Sequence, residues 1–323
     1  MKRKKEQVLK KKQWIGNKRL IVTLIVLVGI VVLGFLLSIF LLQTRKVKFS
    51  LEAAIIDQLE KEFPNPWFVG NATHILETAG FNVTYHGSNA ANVSFFKGLA
   101  EYNYGIIILR VHSALRADNS TVDLFTAEPF REHAYVQDLD KGLLVKGILN
   151  YSQGQKEYFA FSPEFIGSLK GTFPKSIVIA MGCWSLKPDR RQMAEAFIKK
   201  GAEAYIGWTG LVGSNHTDNE TIKLLRMLFE EDEKISTAVR RTTPDLTFGS
   251  EMKYYPTTAG NLRISDLIAE VNTSTSRQSV ITWFKFVFSM CVTSFMSVEI
   301  KRNQILLALL AYQIVVSLGK RRE

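Results

Sequence analysis

Two short apolar runs end in side chains that could do chemistry together. Gly105-Ile106-Ile107-Ile108-Leu109-Arg110-Val111 leads into His112, and Ser176-Ile177-Val178-Ile179-Ala180-Met181-Gly182 leads into Cys183, 71 residues later. A thiol alone is a modest nucleophile at neutral pH. An adjacent imidazole can take its proton and later protonate a leaving amine, and the oxyanion formed on an attacked carbonyl then needs backbone N–H donors. A cysteine after an apolar strand is by itself more often a buried structural residue. It is the histidine at a matching position that turns the thiol into a candidate nucleophile.

The elements that must position this pair are legible. Continuous β-branched runs read as buried strands of a parallel sheet, and chemistry in such sheets sits beyond the carboxyl ends of strands. The rest of the chain from 43 to 278 supports an α/β class with a mostly parallel central sheet. Leu51, Ala54, Ile55 and Leu59 fall on one helical face, predicting a helix over 50–62 that breaks at Pro64-Asn65-Pro66. Ala72–Ala79 reads as a helix stopped by Gly80, Phe81–Tyr85 as a strand, Ser94–Glu101 as a helix. Residues 114–162 alternate short strands with polar turns and predict an antiparallel insert beside His112. After Cys183 come a loop, a helix from about Arg190 to Lys200, a strand over Ala204–Trp208, helices at Thr217–Phe229 and Lys234–Arg241, and mixed turns over Tyr254–Ile268.

The net charge of +11 suggests a nucleic-acid binder until its distribution is read. Residues 1–19 hold nine Lys/Arg and one Glu, residues 285–323 hold six and two, and 20–284 carries a net −1. No basic groove for phosphates follows, so nucleic acid is not an expected partner. The basic segment 1–19 instead precedes Leu20–Leu42, 23 residues without a charge. That length spans a bilayer, and the Lys/Arg cluster keeps its own side cytoplasmic. The expectation is an uncleaved signal anchor at 20–42, a cell-membrane location and a main domain outside the cytoplasm. Eight Asn-X-Ser/Thr sequons, at Asn71, Asn82, Asn92, Asn119, Asn150, Asn215, Asn219 and Asn272, all lie on the predicted outer side and suit a glycoprotein. The segment 279–323 contains two apolar stretches, Val280–Val298 and Ile305–Leu318, each followed by basic residues. A single returning span, a short helical hairpin, or a surface helix plus one span all fit it. Of two cysteines, Cys291 falls in that tail, so Cys183 is the one thiol of the exported domain and no disulfide framework can form there.

The order strand–His, strand–Cys resembles the caspase–gingipain–legumain–separase clan of cysteine peptidases, and gingipain-like and CHAT-like members most. The resemblance runs over roughly 80–270. It rests on Ser176–Cys183, Met193-Ala194-Glu195-Ala196-Phe197, Lys200-Gly201-Ala202-Glu203-Ala204-Tyr205-Ile206-Gly207-Trp208 and the closing stretch Thr257–Ile268. It implies a caspase-like three-layer sandwich. It also implies His112 as general base, Cys183 as nucleophile, and the backbone N–H groups of Ser113 and Cys183 as oxyanion hole. Such peptidases usually carry Gly after the His. Here Ser113 stands in that place, and its Cβ would strain a backbone with positive φ. Around the nucleophile the chain reads Met181-Gly182-Cys183-Trp184-Ser185 rather than the caspase Gln-Ala-Cys.

Two functions follow as expectations. One is a membrane-anchored extracellular cysteine endopeptidase acting on a polypeptide. The other is a catalytically inactive surface binding module on the same scaffold. Neither needs a cofactor, and two candidate ligands without CxxC or HxxxH spacing make a metal site unlikely. Substrate preference would come from the rim. Glu128, Asp189 and Asp218 are the candidate acids for a basic side chain, each with a plainer reading as a solvated loop carboxylate, and Asp189 with a further one as helix N-cap. Trp184 and Trp208 could wall a pocket or pack in the core. His74, His86, His133 and His216 read as surface or loop histidines, although His86, like His112, follows a strand.

Overall fold

The computed structural model describes residues 48–151 and 154–271, together with Gly34. The chain divides into two compact units, Met1–Lys48 and Phe49–Glu323. The fold described below belongs to the second.

In chain order its elements are β1 (Glu52–Asp57), α1 (Pro66–Thr78), β2 (Asn82–His86), α2 (Val93–Lys97), β3 (Ile106–Arg110), β4 (Ser113–Leu115), β5 (Val122–Pro129), α3 (Val136–Asp140), β6 (Leu144–Tyr151), β7 (Gly154–Phe161) and α4 (Pro163–Ser168). They continue as β8 (Ile177–Ala180), α5 (Gln192–Lys199), β9 (Ala204–Trp208), α6 (Ser214–Phe229), α7 (Ile235–Arg240) and β10 (Met252–Tyr255). A six-stranded sheet has the order β10-β9-β8-β3-β1-β2. Its pairs are parallel except that β10 runs antiparallel to β9. A second, antiparallel sheet of order β4-β5-β7-β6 takes in the region 113–161. The protein is thus a mixed α/β fold, as the sequence predicts, with the antiparallel insert where it was expected.

The central strands lie at the middle of the sheet because they are apolar on both faces. Ala53 and Ile55 pack with Phe68, Ala72, Ile75 and Leu76 of α1 and with Ile222 and Leu225 of α6. Ala54 and Ile56 pack on the opposite side with Phe96, Phe165 and Phe197 of α2, α4 and α5, and with Phe159 and Phe161 of β7. Helices α1, α6 and α7 therefore cover one face, and α2, α4, α5 and the second sheet cover the other. Ile106, Ile108 and Leu109 have no exposed surface. Burying each such side chain contributes roughly 1.5–3 kcal/mol, which fixes where the strand ends lie.

Two sequence expectations need correction. Residues 50–62 do not form a helix: Glu52–Asp57 is a central strand, followed by a turn in which the N–H groups of Glu62 and Phe63 donate to the Leu59 carbonyl (3.0 and 2.8 Å). The run Ala53-Ala54-Ile55-Ile56 is buried on both faces, and a short run of that kind carries no periodicity by which to separate helix from strand. The stretch read as mixed turns from Tyr254 begins with the edge strand β10, whose polar Lys253 and aromatic Tyr254 and Tyr255 hide the pattern. Helix α1 also starts earlier than expected, at Pro66, with Asn65 as N-cap accepting from Phe68 N–H, and Gly80 follows it with φ +91°.

Among the described residues no helix is long and apolar enough to cross a membrane. The segments 20–42 (apart from Gly34), 280–298 and 305–318, the sequon at Asn272 and Cys291 lie outside the described residues.

Candidate active site

Strands β3 and β8 are neighbours and run parallel, with Ile108 opposite Ile179 and Leu109 opposite Ala180. The Met181 N–H continues the ladder by donating to the Leu109 carbonyl (2.9 Å). Continued past the paired residues, this register would bring His112 opposite Cys183. Alternation along both strands directs Ile108, Ile179 and Met181 to the face covered by α1 and α6, and Cys183 packs against that same cluster. The two chain ends are held tightly. A Cβ on Gly182 would lie 2.3 Å from Ser113 Oγ and 2.5 Å from the Val111 carbonyl, so only glycine permits this approach. Ser113 Oγ donates to the Cys183 carbonyl.

The histidine is fixed from β1. Gln58 Oε1 accepts from the His112 N–H (2.8 Å), and Gln58 N–H donates to the Arg110 carbonyl (3.0 Å). On the ring, Nε2 lies 3.1 Å from Glu62 Oε2, and Phe63 and Phe125 flank it edge-on. Glu62 is itself held from the insert: Tyr158 OH donates to its Oε1 (2.7 Å) and Lys156 Nζ lies 3.0 Å from the same oxygen. Burial, then the Glu62 carboxylate, pushes the Tyr158 hydroxyl above its ordinary range. Burial pushes the His112 imidazole below its ordinary value, with Glu62 opposing the shift and Arg110 and Lys156 adding to it. The imidazole therefore stays unprotonated and ready to accept a proton at neutral pH. Glu62 and Gln58 escaped the sequence reading because the helix expected over 50–62 concealed that they follow the carboxyl end of a central strand. The Pro64-Asn65-Pro66 break immediately after Glu62 was the available signal.

Cys183 is the free cysteine among the described residues. Its half-buried sulfur accepts from the Val212 N–H (3.5 Å) and lies 3.7 Å from the Val212 carbonyl. Burial pushes the thiol up, and Asp245 adds to that. Burial thus favours the uncharged form of both the Cys183 thiol and the His112 ring. The left-handed residue of this loop is Trp184, at φ 54°. Ser113 opens β4 and is not among the residues of positive φ, so the strain expected at Ser113 is absent. The His112 carbonyl accepts from Phe125 N–H (2.9 Å). By the alternation of an antiparallel ladder, the Ser113 N–H then points away from β5, on the side where Gly182 approaches it.

The remaining candidates are placed elsewhere. Asp218 has no exposed surface: its Oδ1 and Oδ2 accept from Arg110 Nε and Nη2 (both 2.8 Å), and Oδ2 also accepts from Asn65 Nδ2 (2.8 Å). Arg110 donates in addition to Asp57 Oδ1 (2.7 Å) and to the Phe63 carbonyl (2.7 Å), so Asp218 is a structural ion, not a pocket acid. Glu128 accepts from Val93 N–H and Tyr135 OH (both 3.2 Å) and pairs with Arg131, which makes it a brace of the insert. Asp189 is exposed and paired with Lys187 (2.7 Å) and Arg190 (3.3 Å). It does not cap α5, whose N-cap is Arg191. Trp208 is a core residue, its Nε1 donating to Thr217 Oγ1 (2.9 Å), while Trp184, which follows Cys183 in the chain, is half-buried. His86 ends the edge strand β2, with β1 and β3 between it and β8, and its Nε2 lies 2.9 Å from Tyr104 OH. His216 Nε2 lies 2.9 Å from the Thr243 carbonyl, and His74 and His133 are exposed. Among the described residues no three His, Cys, Asp or Glu side chains converge as metal ligands.

No family model matches the chain, and no curated protein does.

The geometry sets the pH dependence of any chemistry that uses His112 as base. Activity requires the unprotonated ring, whose affinity for a proton is depressed by burial. The acid limb of kcat/KM is thus expected below pH 6.5, the ordinary histidine value. Glu62→Gln removes the group that opposes the depression, so that limb moves further to acid pH as kcat falls. A kcat/KM–pH profile of the two proteins checks both directions.

Proposed function

We propose that this chain is a cysteine endopeptidase of caspase-like architecture, held in the cell membrane with its α/β domain outside the cytoplasm. What supports the reading is the parallel pairing of β3 with β8, whose carboxyl ends lead into His112 and Cys183, together with Glu62 against the imidazole. The strand order, parallel until a last antiparallel edge, suits the same reading.

In this mechanism Glu62 orients the His112 ring through Nε2, and the ring takes the Cys183 proton as the sulfur attacks the carbonyl carbon of a peptide bond. The carbonyl π bond breaks, and its electron pair rests on the oxygen, facing the N–H groups of Ser113 and Cys183. The C–N bond then breaks, and the amine leaves with the proton from His112. Water, deprotonated by the same ring, hydrolyses the thioester and restores the thiol. The basic segment 1–19 and the span 20–42 supply the anchor, and the apolar stretches of 279–323 add lipid contact. Sugars would be carried at the exposed Asn82, Asn119, Asn150, Asn215 and Asn219. Asn71 and Asn92 are half-buried, and Asn92 caps α2 through its Oδ1.

A second reading, the inactive binding module, is favoured by the contacts of the sulfur with Val212 and by the raised thiol. The two part on turnover. The purified full-length chain, incubated with a diverse unstructured peptide library, is expected to cut peptide bonds. A folded chain that leaves every member intact, and that tolerates Cys183→Ser without loss of partner binding, is the module.

A further inference from the structure

The carboxyl-end rim is where large apolar side chains are left uncovered. Of the nine exposed large hydrophobic residues among the described residues, Phe63, Leu211, Leu246 and Phe248 lie on loops that follow β1, follow β9 or precede β10, and Trp67 lies in the first turn of α1, just after the β1 loop. Because β10 is antiparallel, with Met252 opposite Trp208, the segment before β10 lies at the carboxyl end of β9.

These loops are joined to the sulfur by a short chain of hydrogen bonds. Val212 holds the Cys183 thiol, and the Trp184 N–H donates to the Gly210 carbonyl (2.7 Å). Gly210 N–H donates to Ser250 Oγ (2.9 Å) and Gly213 N–H to Asp245 Oδ2 (2.9 Å). Asp245 and Ser250 close a turn that carries Leu246 and Phe248 outward, with Leu246 88 % exposed. On the histidine side Phe63 packs edge-on to the His112 ring. The apolar residues thus lie on loops tied by hydrogen bonds or ring contact to each member of the pair.

The charges of the same region are already matched. Asp218 belongs to Arg110, Asp189 to Lys187 and Arg190, and Glu62 to Lys156, Tyr158 and His112. Asp245 is buried and accepts from the Gly213 and Thr247 N–H groups. A charged substrate side chain would have to compete with these ionic and hydrogen-bonding partners, whereas an apolar one covers surface that is otherwise wet. Exposed apolar patches of this kind mark binding sites, and specificity follows from what the rim leaves unpaired.

We propose that the site selects polypeptide segments bearing a large aliphatic or aromatic side chain next to the cleaved bond, seated against Leu246 and Phe248. This inference rests on the peptidase reading and specifies its substrate class.

The test uses the full-length chain and fluorogenic peptides identical except at the residue before the cleaved bond, which is Leu, Phe, Asp, Asn, Lys or Arg. Leu or Phe is expected to lead by about 10-fold or more in kcat/KM. Leu246→Asp and Phe248→Asp are each expected to erase most of that lead, while Leu246→Met keeps it. Leu246 is almost wholly exposed, so the variant should melt with the parent. A preference for Asp, Asn, Lys or Arg, or an apolar preference untouched by both Asp variants, overturns the proposal and leaves the peptidase standing. Failure of the folded parent to cut any peptide removes the peptidase reading, and this inference with it.

Discussion

Cys183→Ala is expected to reduce peptide cleavage to background, and His112→Ala to reduce kcat/KM by about 10²–10⁴-fold, with both proteins folded. The alanine at 183 leaves no atom to attack the carbonyl. The alanine at 112 leaves a thiol whose own tendency to ionise has been lowered by burial, so no thiolate is available to compensate. Because the two groups act on one proton in one step, their effects cannot add. The double variant should be no slower than Cys183→Ala alone. Initial rates on a fluorogenic peptide, with melting temperatures for each variant, check the set. Additive losses would mean that the two residues act separately.

Asp218→Ala is expected to destabilise the domain by about 3–5 kcal/mol, the cost of breaking a buried pair by removing one partner. The Arg110 side chain has no exposed surface, and Asp218 occupies its Nε and Nη2. Loss of that carboxylate leaves a buried guanidinium shared between Asp57 and the Phe63 carbonyl. For a domain of this size the melting temperature should fall by roughly 10 °C. Since Arg110 also anchors Phe63, next to Glu62, the surviving folded fraction should show a lowered kcat. Differential scanning calorimetry of the variant measures the first effect. A pocket role for Asp218 would have given the opposite pattern, with unchanged melting and altered substrate preference.

Much of this arrangement is legible before any coordinates. The runs 105–109 and 177–182 are apolar without interruption, and such short β-branched runs favour strands buried on both faces of a parallel sheet. That places His112 and Cys183 at strand ends and suggests neighbouring strands, and the insert follows from its alternating short runs and polar turns. What escapes has a common cause. Ala53-Ala54-Ile55-Ile56 belongs equally to a helix or a strand by pattern, and only its partners β2 and β3 decide between them. The misassigned strand took Glu62 and Gln58 out of view, although they hold the imidazole ring and its backbone. The acids offered for substrate binding failed for a related reason. Sequence places Asp218 in a polar stretch next to a strand, but its cation, Arg110, is 108 residues away, and a pairing across that distance leaves no local trace. Glu128 and Asp189 are satisfied by near neighbours, Arg131 and Lys187, which a stricter account of local charge would have assigned.

The central claim is that His112 readies Cys183 for attack on a peptide carbonyl. Its most direct test is mass spectrometry of the folded full-length chain after treatment with a peptidyl acyloxymethyl ketone. The account predicts a single thioether adduct on Cys183, strongly slowed in His112→Ala. A folded wild-type protein that never acquires the adduct, or acquires it at the same rate without the imidazole, contradicts the account.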